Sequence, residues 1–274
     1  MLRIQRLLIP ASLLVALPWT GCDSNATNQR DAPSEPSGTN WTDTIDLRRA
    51  YQQYYEARED WPPAWPYEEA GKLHPVDEAP RDTLFFVFRE RLREAVARKD
   101  AFALLDMLDE EVKVDFGGGQ GVADFVRAWS LDSEQNIARS QLWPVLDRLL
   151  AMGGTFSENG QAFTAPYVFS RWPDDLDAFQ HVAITGEGVR LRERPELNSR
   201  IRQSLSYELV ELLERSSDST SISGDTFPWI KVRTARADSG YVWGKYVYAP
   251  IGYRMGFYKT GETDWAISFL LAGD

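Results

Sequence analysis

Side chains able to do chemistry are sparse in this sequence. Two acidic runs stand out, Asp109-Glu110-Glu111 and Asp174-Asp175. Neighbouring carboxylates can serve as acid and base in glycosidic-bond hydrolysis when apolar walls raise one of them. No such wall is legible beside either run, and acids at helix ends and turns also serve solvation and capping. The histidines are two, His74 and His181, and the single cysteine is Cys22. That is too few for a zinc site built from Cys and His, and no intramolecular disulfide can form. His74 lies in a proline-rich connector and His181 just ahead of a strand. Both read as surface or edge residues, and a catalytic role would require the fold to bring groups together from afar. Gly117-Gly118-Gly119-Gln120-Gly121 opens a helix, where backbone amides can hold an anion. It lacks the Gly-Lys-Ser/Thr ending of a phosphate loop and the spacing of a dinucleotide fingerprint, so it reads as a turn needing positive φ. No catalytic residue, metal site or cofactor is assigned.

The elements that would position these groups belong to one or two domains, since 274 residues at 43% hydrophobic content can bury a sizeable core. The net charge of −11 lacks the basic footprint of nucleic-acid binding. It also disfavours docking of the folded part onto anionic lipid.

Arg3 and Arg6 precede an uncharged apolar run over residues 7–17. The run is shorter than the about 20 residues needed to span a bilayer and reads as an export signal. It ends at Thr20-Gly21-Cys22, which resembles the lipobox of bacterial lipoproteins, with Trp19 where that family usually has Leu. The resemblance implies cleavage before Cys22, a diacylglycerol on its sulfur and an acyl group on its new amine. Several acyl chains would anchor the chain durably. Asp23 resembles the signal that retains such proteins in the inner membrane, with the outer membrane as the other destination. An ordinary secretory peptide with an incidental cysteine is the rival reading. Residues 1–21 are thus a lipoprotein signal peptide and 22–40 a polar, flexible linker.

Residues 41–180 read as a helix-rich α+β domain. Asp43 is positioned to cap a helix to about residue 58 with Leu47, Tyr51 and Tyr54 on one face. Trp61-Pro62-Pro63-Ala64-Trp65-Pro66-Tyr67 follows, either an extended ligand for an aromatic groove or a strap packed on the next domain. Residues 82–98 are the clearest helix: Leu84, Phe85, Phe88, Leu92, Ala95 and Val96 repeat at helical spacing. Asp100 can cap a second helix, 112–116 alternate as a strand, and a helix over 140–152 meets a stop at Gly153-Gly154.

Residues 182–250 alternate as strands. Ile230 and Val232 share one face, with Trp229 on the other; Val242 points opposite to Trp243. The apolar core claims Val189, Leu191, Ile201, Leu205, Val210, Leu212, Ile230, Val232, Val242 and Val247, leaving Trp229, Trp243 and Tyr246 for the outer surface. The polar stretch 216–226 reads as an extended loop. The strings Gly188-Val189-Arg190-Leu191-Arg192-Glu193-Arg194-Pro195, Pro228-Trp229-Ile230-Lys231-Val232-Arg233 and Gly240-Tyr241-Val242-Trp243-Gly244-Lys245-Tyr246-Val247 together resemble a bacterial SH3 domain. That resemblance implies a small barrel used for tethering. It would place Trp229 and Tyr246 along a peptide groove and Trp243 where eukaryotic members usually carry proline. Arg190, Arg192 and Arg194 alternate with apolar residues and would form a basic rim beside them. The other reading is that these aromatics seal the barrel against its neighbour. The cysteine peptidase often joined to such barrels has no counterpart here.

Residues 251–274 form a hairpin, with Tyr253, Met255 and Phe257 alternating on one strand and Trp265, Ile267, Phe269 and Leu271 on the other. Being marginal alone, it should pack on the helical domain. The expected fold is α+β: a helical N-terminal domain completed by a C-terminal β-hairpin, plus an all-β SH3-like barrel over 181–250. The expected function is that of an exported, lipid-anchored protein on the periplasmic side of a bacterial envelope. It would bind a peptidoglycan peptide or an envelope protein. A structural scaffold without ligand, and a cell-wall hydrolase with its site in the helical domain, are the alternatives.

Overall fold

The computed structural model describes residues 62–63 and 68–273. The export signal, Cys22, the linker, the helix expected from Asp43, and Trp61 and 64–67 of the proline-rich strap lie outside the described residues. Pro63 does fall within them, and its carbonyl accepts the Asp77 amide at 2.6 Å.

The architecture is α+β. Its first sheet has six strands in the order β1 (Val76–Asp77), β3 (Gly153–Phe156), β4 (Ala162–Ala165), β12 (Arg254–Lys259), β13 (Trp265–Leu271) and β2 (Leu108–Lys113). The two outer pairings, β1 with β3 and β13 with β2, are parallel; the inner ones are antiparallel. Helices α1 (Thr83–Arg98), α2 (Ala101–Leu105), α3 (Val122–Ala128), α4 (Glu134–Arg139), α5 (Leu142–Ala151) and α6 (Tyr167–Ser170) accompany it.

Helix α1 begins where Asp82 accepts the amides of Leu84 and Phe85 at 3.0 Å, and stops as Lys99 turns left-handed. Its buried face sets Phe85 among Phe156, Phe163, Phe257 and Trp265, with ring centroids 4.4–5.4 Å away. Met255, Phe257, Trp265, Ile267 and Leu270 of the last two strands lie in that same core. Alternation along β13 breaks between Ile267 and Phe269, where its register against Gly256 and Phe257 of β12 shifts. Phe269, expected to share the inner face, is instead half-buried, with its ring across Gly256 where any Cβ would collide.

Several boundaries differ from expectation. Helix α5 does stop ahead of the glycine pair at 153–154, and that pair begins strand β3 directly. A Cβ at Gly153 would lie 2.5 Å from the Val76 carbonyl, and one at Gly154 would strike that of Thr164. Strand β2 comes earlier than expected and carries Asp109, Glu110 and Glu111 on an edge, so this acidic run sits in neither a helix end nor a turn. In the glycine loop the amides of Gly117 and Gly119 both bond the Asp115 carboxylate at 2.8 Å, while Gly118 and Gly121 take positive φ. The loop thus binds a carboxylate of its own chain.

The second sheet is antiparallel throughout and curls as a half-barrel. Its strands run β11 (Val247–Tyr248), β5 (His181–Ile184), β8 (Leu209–Ile222), β9 (Asp225–Arg233), β10 (Ser239–Trp243), β6 (Val189–Arg192) and β7 (Ile201–Leu205). Its core is aliphatic, built from Val182, Ile184, Leu191, Leu205, Val210, Ile230, Val232 and Val242 among others. Ile201, expected inside, is 46% exposed because edge strand β7 slips by a bulge opposite Leu191 and Arg192. The polar stretch 216–226 is no loop. It extends β8 and β9 to a two-residue turn, Ser223-Gly224, both at positive φ as a tight hairpin requires. Strand β5 serves two cores: Val182 and Ile184 face the barrel interior, while Ala183 packs with the first body.

Candidate functional site

The residues expected to form an aromatic face are mostly enclosed. Trp229 is 1% exposed and donates its indole N–H to Thr220 Oγ1 at 2.8 Å. Trp243 is 7% exposed and donates to the Thr220 carbonyl at 3.0 Å. Strand alternation did separate Trp229 from Ile230, but the extension of the β8–β9 hairpin brings Thr220 onto both indoles. Tyr246 remains 39% exposed, its ring 6.0 Å from that of Trp243. Arg190 is exposed, whereas Arg192 is buried and donates to the Ser199 carbonyl at 2.8 Å. Burial, reinforced by neighbouring Arg190, lowers the Arg192 pKa. The basic rim therefore reduces to Arg190 and Arg194, the latter paired with Glu196 at 2.7 Å, and an open groove along Trp229 is absent among the described residues.

Arg148 of α5 reaches onto the barrel instead. Its Nη2 donates to the carbonyls of Val247 (2.9 Å), Lys245 (3.1 Å) and Gly244 (3.3 Å). The guanidinium carbon lies 4.9 Å from the Tyr248 ring centroid and 5.3 Å from that of Phe227. Burial lowers its pKa, with the Tyr248 phenol opposing weakly. Here the half-barrel and the helical body are clasped together.

A cavity of about 900 Å³ opens elsewhere along the junction of the two sheets. One wall is the segment Gly71–Leu73, stitched to the barrel by Leu73 N–H to Tyr207 O (2.8 Å) and Leu209 N–H to Gly71 O (3.0 Å). The opposite walls come from the stretch after α6 and from the ends of β8 and β9. Both histidines line it. His74 Nε2 stands 3.2 Å from Glu69 and its ring 5.1 Å from that of Tyr207; His181 Nδ1 is 3.1 Å from the Asp177 carbonyl. Glu69 also pairs with Lys72 at 2.8 Å, and hydrogen bonds from Lys72 first, then His74, lower its pKa. Cross-strand Glu211 and Arg233 meet at 2.8 Å, and Trp172 shows its ring to the space with its N–H tied to the Leu176 carbonyl.

Two hydroxyls at this cleft, Ser170 and Thr234, are buried without a hydrogen-bond partner among the described residues. Neither contacts an imidazole, so no nucleophile–base pair is assembled there. Among the described residues no group of His, Cys, Asp and Glu is placed to hold a metal, and no helix is long and apolar enough to cross a membrane. Sequence reading missed the cleft because its parts lie near residues 70, 172, 210 and 234; two histidines adjoining connectors were the only local sign.

In comparisons with known proteins, no family model, curated protein or solved structure matches the chain.

Proposed function

We propose that this is an exported envelope protein, lipid-anchored through Cys22 on the periplasmic side, whose curled sheet is an SH3-like barrel that binds a cell-wall peptide or another envelope component. The seam cleft, rather than the Trp229 face, is where that ligand sits. The observation that carries the reading is the cleft itself: about 900 Å³ lined by Trp172, both imidazoles and buried hydroxyls without partners. Cavities of this volume with a few convergent polar groups are the usual form of a ligand site. Its cations already face acids, Lys72 on Glu69, Arg171 on Glu68 and Arg233 on Glu211, and the His74 ring also meets Glu69. Asp174 and Asp175 add acceptors. A ligand rich in N–H donors, such as a peptide with a free amine, fits this balance better than an anion does. In this reading its role is to hold a ligand.

Retention on purified cell wall tests the reading. Trp172→Ala should lose retention while keeping the circular dichroism of the parent; equal retention by both proteins would overturn the cleft as the site. Cys22→Ser should move the protein from the membrane fraction to the soluble one.

A scaffold without ligand is the second reading. The enclosure of Trp229 and Trp243 and the clasp of Arg148 favour it, because they bury the face that the SH3 resemblance reserves for peptides. Absence of retention for the unaltered protein would select it.

A further inference from the structure

A second cavity, about 330 Å³, lies between α5 and the half-barrel, away from the seam cleft. Pro144, Val145, Phe227, Tyr248 and Tyr253 wall it, and two arginines, Arg148 and Arg215, reach it. The Arg148 Nη2 is occupied by three carbonyls. Among the described residues its Nε and Nη1 donate to nothing, and neither arginine has a carboxylate within salt-bridge distance. This is unusual for a chain of net charge −11, where eleven acids more than bases are available to pair with. Carbonyl dipoles and ring faces stabilise the guanidinium, but a largely buried cation with no anion keeps an unmet electrostatic demand. A guanidinium whose remaining edge is free presents the planar fork that receives a carboxylate in two hydrogen bonds.

We propose that this groove is a binding site for an apolar molecule ending in a carboxylate, its body against Phe227, Tyr248 and Val145 and its acid on the open edge of Arg148 with Arg215 beside it. The shared chemistry covers a peptide carboxyl terminus and a short fatty acid. A phosphate would bring a second charge against apolar walls. The inference stands apart from the seam cleft and does not depend on it.

The test is titration of the full-length protein with N-acetyl-leucine and with octanoate, each beside its uncharged amide, following the Arg Nε resonances by nuclear magnetic resonance. At least one acid should shift the Arg148 signal saturably, and its amide should not. The better of the two acids identifies the source. Arg215→Gln, an exposed position, should weaken that acid about tenfold, as loss of a charge-assisted contact does, and leave the unfolding midpoint in place. His74→Gln, in the other cavity, should change nothing. The proposal is overturned if acid and amide bind alike, or if Arg215→Gln binds as tightly as the parent. It is equally overturned if neither acid moves the Arg148 signal up to about 10 mM, beyond any useful affinity.

Discussion

Two regions of the molecule bury an arginine, and they do so in opposite ways. Beneath the six-stranded sheet, Arg89 of α1 meets Asp77 of β1 in a two-pronged pair, both contacts at 2.6 Å and both side chains 1% exposed. At the clasp with the half-barrel, Arg148 meets only carbonyl oxygens and ring faces. The first arrangement is closed: charge is matched by charge, and Asp77 also accepts the Ala79 amide. The second is matched by dipoles and leaves an edge open. A closed ion pair ties one strand to one helix; an open cation beside a cavity is fit for an outside partner.

That contrast predicts unequal responses to truncation. Asp77→Ala strips Arg89 of its two-pronged carboxylate in a dry interior and should cost about 3–5 kcal/mol, the usual range for breaking a buried pair from one side. Arg148→Met keeps the apolar stem between Phe227 and Tyr248 and removes the charge along with its desolvation penalty. What it loses is hydrogen bonds to three carbonyls, that of Lys245 exposed and those of Gly244 and Val247 part-buried, so about 1–3 kcal/mol is expected. Urea unfolding of both variants checks the order. A larger loss from Arg148→Met than from Asp77→Ala would mean that the clasp, not the pair under the sheet, dominates cohesion of the two bodies.

The same division marks what could be read from sequence. Local rules served well where a single residue decides an element: Asp82 and Asp100 start α1 and α2 as their type and position suggest. Alternation also set Ile230 and Val232 inside the half-barrel. It went astray at Trp229, because periodicity says which face a residue is on and nothing of what later covers that face. The covering element, residues 216–226, was masked by its own composition. Serines and threonines read as a loop, yet Ser221 and Thr226 pair across the hairpin through their hydroxyls, and Thr220 serves two indoles. Gly153 and Gly154 read as a helix stop, and the helix does end before them, but the close approach of two neighbouring strands that also requires them was not legible. The seam cleft was illegible for a different reason: its walls converge only after both sheets form, and no spacing within one segment encodes that.

The smallest expected effect at neutral pH comes from two tyrosines that repeat the comparison. Tyr248 lies at the clasp and donates its hydroxyl to the Tyr253 carbonyl; Tyr167 lies in the first body, and its hydroxyl has no partner among the described residues. Burial above all raises the pKa of both well beyond the ordinary 10.0. A raised pKa means that the folded form holds its proton while the unfolded chain releases it. Each tyrosine's contribution is therefore intact below pH 10 and declines above it, by about 1.4 kcal/mol per pH unit. Phenylalanine cannot ionise. Tyr167→Phe should thus leave stability at pH 7 unchanged, since no hydrogen bond is lost, and should shallow the alkaline decline by one proton's worth. Tyr248→Phe should shallow it equally but cost about 1 kcal/mol at pH 7 for the lost bond. Urea midpoints at pH 7, 10 and 11 separate the two, and a neutral-pH penalty for Tyr167→Phe matching that of Tyr248→Phe would show that the Tyr167 hydroxyl has a partner after all.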